Sequence, residues 1–198
     1  MTDFMLPWFF WVDLRQFETF LTKNKTRGAY IVKKREKTVQ TITMAAAIAA
    51  VYVVLALLFA PIGFGAIQCR VAEALVILPY FTPAAVPGVT IGCFLANLLG
   101  TAVPMDVVFG TLATFLGALG TYALRQHRLL ACLPPILSNT LIVPWVLKIA
   151  YGDAHLLPFL MLTVGIGEVV AVGILGNILL LVLDRYPTFT RLMDRWAR

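Results

Sequence analysis

The sequence predicts an all-α integral membrane protein with six transmembrane helices and both termini on the cytoplasmic side. Three observations carry that prediction. Of the 198 residues, 60% are hydrophobic and only 13% are charged, with a mean hydropathy of +0.87, which is far outside the range of soluble domains. Long stretches hold no charge at all, namely 38–69, 74–105, 107–124, 129–147 and 169–183, and about twenty apolar residues are what a helix needs to cross a bilayer core. The remaining charges crowd the ends. Lys23, Lys25, Arg27, Lys33, Lys34, Arg35 and Lys37 precede the first apolar run, and Arg185, Arg191, Arg195 and Arg198 follow the last.

Residues 1–37 stand apart as an N-terminal cytoplasmic or interfacial extension. Their opening, "MTDFMLPWFFWVDLRQF", is aromatic-rich but interrupted by Asp3, Pro7 and Asp13, and it lacks the basic start and cleavage pattern of a signal peptide. Residues 38–184 form the six-helix membrane domain, and 185–198 a basic cytoplasmic tail. The first span runs from about Val39 to Ala60 and is stopped by Pro61, Gly63 and Gly65. The second, about Val71 to Phe81, reaches only about 16 Å as an α-helix, so it must be unwound, tilted or extended by its flanks. The third covers about Pro87 to Leu99. The fourth, about Met105 to Leu124, ends at the basic turn Arg125–Arg128. The fifth covers about Leu129 to Ala150 with Pro134, Pro135 and Pro144 inside it, and the sixth about Leu156 to Leu183. The basic flanks and the Arg125–Arg128 turn alternate with connections holding only Arg70 and, near a span end, Lys148. By the positive-inside rule the ends and that turn are cytoplasmic, and 62–72, 100–104 and 151–155 face outside.

In this setting the net charge of +6 reads as a flank attracted to anionic membrane lipid and not as a nucleic-acid surface. Cys69, Cys93 and Cys132 form no C-x-x-C and read as small packing residues. His127 and His155 lack neighbouring ligands, so no metal site is expected. No GxxxxGK[ST], GxSxG or HExxH occurs, so an enzyme is not expected, and any ATP is used elsewhere than on this chain.

Ionisable groups within a span cost about 2.5–3.5 kcal/mol on insertion scales and mark partners or cavities. Glu168 falls near mid-depth of the sixth span, after "TVGIG". Asp106 opens the fourth, where an acid also suits a helix N-terminus. Asn97, Asn139 and Thr140 are intramembrane polar groups that either glue helices or serve a ligand. Glu73, Asn97, Asp106, Asn139 and Glu168 all fall in the outer half or near mid-depth, as an outward-facing site for a small polar solute requires. Gln68 and Arg70 lie beside Glu73. Arg70 is expected at the membrane surface or paired with an acid such as Glu73, three residues on and so on one helical face. Phe64, Tyr80 and Phe109 are candidates to sandwich a flat ring. "MAAAIAAVY" sets Ala45/Ala49 and Ala46/Ala50 at i,i+4, a small-residue face of the kind that lets helices approach closely in lipid.

With those residues in view, "AAVYVVLALLFAPIGFGAIQCRVAEAL", "LPYFTPAAVPGVTIGCFLANLLG", "DVVFGTLATFLGALGTY", "LPPILSN" and "LTVGIGE" closely resemble the QueT family over about residues 38–183. That resemblance implies a substrate-binding (S) component of an energy-coupling factor (ECF) transporter, assigned to queuosine precursors. It implies a six-helix ECF S-component-like fold and a first outer loop acting as a lid. It also implies a small-residue face on the first helix, here Ala45/Ala49 or Ala46/Ala50, docking on a transmembrane coupling protein that works with two ATPase subunits. The implied ligand is a 7-deazaguanine base, whose ring N–H and exocyclic amine suit a carboxylate. Glu168 or Glu73 is expected to read that edge and Asp106 to sit nearest an aminomethyl cation, with Gln68, Asn97 and Asn139 orienting and Phe109 contacting the ring. The rival reading is an ion-coupled secondary transporter with Asp106 or Glu168 carrying the proton, against which stands the lack of an internal repeat. A purely structural membrane subunit would bind no ligand.

Overall fold

The computed structural model describes residues 14–60, 70–100 and 103–186. Contacts divide the chain into two compact units, Met1–Gln40 and Thr41–Arg198, and the account below concerns the second. Gln68, Phe64, residues 62–69 of the loop 62–72 expected to act as a lid, and the tail beyond Tyr186 lie outside the described residues.

All described elements are helical. α1 spans Leu14–Leu58, so helicity begins well before Val39. Lys, Arg and Glu are good helix formers. Helical winding therefore runs through the charged stretch, whereas apolarity, and with it the candidate span, is confined to Arg35–Leu58.

The next element, Val71–Tyr80, is a 3₁₀ helix of 10 residues. At a 3₁₀ rise it covers about 20 Å, against about 15 Å if it were α-helical. Tighter winding thus answers part of the length problem that its sequence posed. A 3₁₀ run this long is uncommon. Ala72 through Ile77 and Pro79 are all buried, as expected of a helix that is apolar all round and central to a bundle.

α2 spans Ala85–Gly100. A π-wound turn, Asp106–Gly110, leads directly into α3, Thr111–Ala123. A short 3₁₀ turn, Leu130–Cys132, leads into α4, Leu133–Ala150, with prolines in its first turn, where the missing N–H costs no hydrogen bond. α5 (Leu157–Glu168), a π-wound segment (Val169–Gly176) and α6 (Asn177–Asp184) follow without a break. Four stretches are long and apolar enough to cross a membrane: Arg35–Leu58, Asp106–Ala123, Leu130–Ala150 and Leu157–Asp184. Val71–Tyr80 and Ala85–Gly100 are shorter apolar helices.

The 3₁₀ helix lies against α2, α3, α6 and the Val169–Gly176 segment. Around it packs a core of Tyr52, Leu75, Val76, Val89 and Cys93, with a second cluster of Ile77, Cys132, Val172 and Leu180. α1 approaches α2 through glycines. A Cβ at Gly88 would lie 3.0 Å from the Ala45 carbonyl, and one at Gly92 would lie 2.7 Å from Tyr52 Cβ. Close approach through small residues is how helices associate where lipid removes the hydrophobic drive between them. Of the two alanine registers in α1, Ala45 and Ala49 are spent on this internal contact, while Ala46 and Ala50 face outward.

Large apolar side chains such as Leu141, Leu162 and Ile178 are exposed, whereas Glu73, Asn97, Asp106, Thr114, Asn139 and Glu168 are buried. That arrangement inverts a soluble protein's, and a bilayer is the solvent in which it is stable.

Candidate functional site

The buried polar residues form two connected groups. The first is an ion pair at the start of the 3₁₀ helix. Arg70 precedes that helix in extended backbone (φ −80, ψ 99), so its side chain does not share a helical face with Glu73. It reaches instead to Asp106, 3.2 Å from Nη2 to Oδ2, and donates from Nη1 to Asn97 Oδ1 at 3.3 Å. Asn97 Nδ2 donates to the Asp106 carbonyl at 3.2 Å, and the Tyr151 hydroxyl to Asp106 Oδ2 at 3.3 Å. Glycine is needed beneath this cluster, because a Cβ at Gly110 would lie 2.9 Å from Asn97 Nδ2 and 3.0 Å from Asp106 Oδ1. The expected pairing of Arg70 with Glu73 gives way to one that closes over a sequence separation of 36 residues.

The second group surrounds the carboxylates. Glu73 is 1% exposed and Glu168 4%. Glu73 Oε1 accepts from the Tyr52 hydroxyl at 2.5 Å and from Thr114 Oγ1 at 3.3 Å. Asn139, 2% exposed, lies beside both carboxylates, yet its Nδ2 makes no hydrogen bond of acceptable geometry. Cys93 joins the groups, since its Sγ lies 3.2 Å from Thr114 Oγ1 and 3.5 Å from Asn97 Nδ2. A cavity of about 30 Å³, lined in part by Tyr52, Arg70 and Asn97, opens beside them and has room for water.

Five buried side-chain atoms among the described residues lack a hydrogen-bond partner: Glu73 Oε2, Glu168 Oε2, Asn139 Nδ2, Thr111 Oγ1 and Thr140 Oγ1. A buried polar atom left unsatisfied costs about 1–3 kcal/mol, and more if charged. The first three, two acceptors and one donor, sit on neighbouring side chains and call for a complement with at least two donors and one acceptor. No group of three or more metal-ligating side chains occurs among the described residues.

Glu73, Asn97, Asp106, Asn139 and Glu168, singled out from the sequence, are thus all enclosed, with Asn97 and Asp106 in the ion-pair cluster and the other three in the carboxylate group. Phe109 is not enclosed. The π-wound turn presents it 42% exposed, in an apolar groove of about 340 Å³ with Met105, Leu141 and Trp145. Tyr80 lies at the opposite end of the 3₁₀ helix from Glu73. Sequence reasoning missed Tyr52, Thr111, Thr114 and Tyr151. A tyrosine amid "AAVYVV" was a usable signal, because a buried phenol needs a partner for its hydroxyl, whereas threonines in apolar helices carry little information.

Outside the apolar helices, the connection between α4 and α5 has its own order. Lys148 Nζ donates to the carbonyls of Asp153 and His155 at 3.0 and 2.8 Å. The His155 backbone N–H, and after it the ring, hold the Asp153 carboxyl below its usual range.

Apolar helices facing outward around enclosed carboxylates with unfilled hydrogen-bonding capacity define a multi-pass membrane protein with an internal polar site. The sequence matches the family described as QueT transporter over residues 42–185, and the chain belongs to that family, whose members are transporters and not an enzyme class. It is 37% identical over 83 residues to the "Queuosine precursor transporter QueT" of Lactococcus lactis subsp. cremoris (strain MG1363), a match taking in 41% of this chain and 48% of that protein. The matched stretch therefore spans about half the length of that relative. No solved structure matches the chain.

Proposed function

We propose that this chain is the substrate-binding membrane subunit of an ATP-driven energy-coupling factor importer, and that it takes up a queuosine precursor of the 7-deazaguanine type. The observation that carries this reading is the set of partnerless polar atoms on Glu73, Asn139 and Glu168 themselves. A 7-deazaguanine has the complementary pattern. Its ring N–H and exocyclic amine supply donors to the two carboxylates, and its ring carbonyl accepts from the Asn139 amide. An aminomethyl substituent would add a cation, which the paired negative charge of the two carboxylates favours. Asp106 already has Arg70 as counter-ion, so that cation falls to Glu73 or Glu168.

In this reading the protein crosses the plasma membrane six times, with the shorter apolar helices counted as spans and both ends cytoplasmic, as the basic flanks favour. The ligand enters from the Arg70 side, which faces outward. Docking on the coupling protein uses the exposed Ala46/Ala50 register. An apolar groove of about 440 Å³, bordered by Ala47 and Val51 of α1 and Leu179 and Leu183 of α6, runs alongside α1 at the same level. The chain itself holds no cofactor, and ATP is consumed by the partner ATPases.

The test is saturable binding to the purified chain in detergent, across a panel of deazapurines, purines and vitamins. Wild type should bind an aminomethyl-deazaguanine, and Glu73→Gln and Glu168→Gln should each weaken it by about ten- to a hundredfold, the usual worth of a charge-assisted hydrogen bond. Unchanged affinity in both variants would sink the carboxylate assignment. Two buried carboxylates that form no ion pair among the described residues also suit a proton carrier. The secondary-transporter reading is favoured instead if uptake in cells persists without the ATPase module and collapses with the proton gradient.

A further inference from the structure

We propose that Tyr52 and Thr114 are positioning residues that set ligand selectivity, by locking Glu73 so that a single carboxylate oxygen reads the ligand's exocyclic amine. This rests on the ligand-binding reading above. Both hydroxyls donate to the same oxygen, Glu73 Oε1, at 2.5 and 3.3 Å, and the other oxygen, Oε2, has no partner. Rotation of the carboxylate would break both bonds at once. The phenol is itself enclosed. Tyr52 is 1% exposed, and its Cβ is so close to α2 that only a glycine fits at position 92. Thr114 is fully buried on α3, with Cys93 on its other side.

A free carboxylate can turn, bind as a fork or accept a water, and so tolerates ligands that offer one donor or two. A carboxylate clamped through one oxygen cannot adapt. Its Oε2 presents one fixed point beside the partnerless Glu168 Oε2 and Asn139 Nδ2. A base lacking its exocyclic amine leaves one of the two carboxylate oxygens buried without a donor. Sites built to hydrogen-bond a given group reject analogues that lack it far more strongly than apolar pockets reject a missing methylene. Selectivity for the amine-bearing base therefore depends on residues that never touch it.

The experiment measures the affinity of the purified full chain for two probes, 7-aminomethyl-7-deazaguanine and its counterpart without the 2-amino group. Wild type is expected to prefer the first by on the order of a hundredfold or more. Tyr52→Phe, which keeps the ring and its packing, should lower that ratio at least tenfold by weakening the amine-bearing probe alone. Thr114→Val should lower it in the same direction, and Thr114→Ser, which keeps the hydroxyl, should restore it. Loss of packing alone would weaken both probes equally and leave the ratio intact. If wild type discriminates and the ratio is unchanged in both Tyr52→Phe and Thr114→Val, the clamp is refuted while the binding reading stands. If wild type binds neither probe, the binding reading fails and takes the clamp with it.

Discussion

The Arg70–Asp106 pair offers the sharpest quantitative prediction. Its side chains are 20% and 3% exposed at a separation of 3.2 Å. At an effective dielectric constant near 20, that separation corresponds to about 5 kcal/mol of gross attraction, most of which offsets the desolvation of the two charges. Removing one partner forfeits the attraction and leaves the other charge enclosed. Asp106→Asn, which preserves shape, should therefore lower stability by about 3 kcal/mol, as should Arg70→Met. The double variant Arg70→Met/Asp106→Leu should recover much of that loss, because no unpaired charge remains. Thermal or denaturant unfolding of the four proteins in one detergent reads these values. Single-variant losses below about 0.5 kcal/mol, the level of an exposed pair, would refute the placement of this pair in a low-dielectric interior. A double-variant loss equal to the sum of the singles would refute direct coupling.

Two further outcomes follow from the same geometry. Ala49→Leu should impair folding, because Ala49 is buried against α2 beside Gly92. Ala50→Leu, on the exposed register, should leave ligand affinity unchanged and weaken co-purification with a coupling protein; equal effects of the two substitutions on folding would contradict the register. The second outcome concerns pH. The Asp153 carboxyl is held below its usual value, first by the His155 backbone N–H and then by its ring. Its contribution is therefore fully present above the unfolded value of about 3.9 and is lost as pH falls through the lower folded value. The difference in unfolding midpoint between wild type and Asp153→Asn should shrink as pH falls below about 4. A difference that persisted undiminished down to about pH 2 would show that another group governs the loop.

Much of the enclosed polar set was legible because polar residues in an apolar chain are conspicuous. Glu73, Asn97, Asp106, Asn139 and Glu168 stand out in charge-poor sequence, and each is enclosed in the fold. Pairing was not legible. Arg70 precedes Glu73 by three residues, so helical spacing predicted a partner that the extended backbone at Arg70 rules out, and the true partner lies on another helix. The alanine face was visible as two overlapping registers, and sequence had no means to choose between them. The choice depends on which side of α1 meets Gly88 and Gly92.

Composition and charge patterning by themselves determined that this is a helical membrane protein, because a chain so apolar and so poor in charge must expose much of its apolar surface, which is stable only in lipid. Motif resemblance determined the family. Only the tertiary structure decided which carboxylate is neutralised by Arg70, which is clamped through one oxygen, and which polar atoms are left without partners. The physical reason is one of range. The free energy of placing a residue in a bilayer is local and can be read residue by residue, whereas a hydrogen bond between Tyr52 and Glu73 exists only once two helices have packed to within 2.5 Å of each other at those atoms.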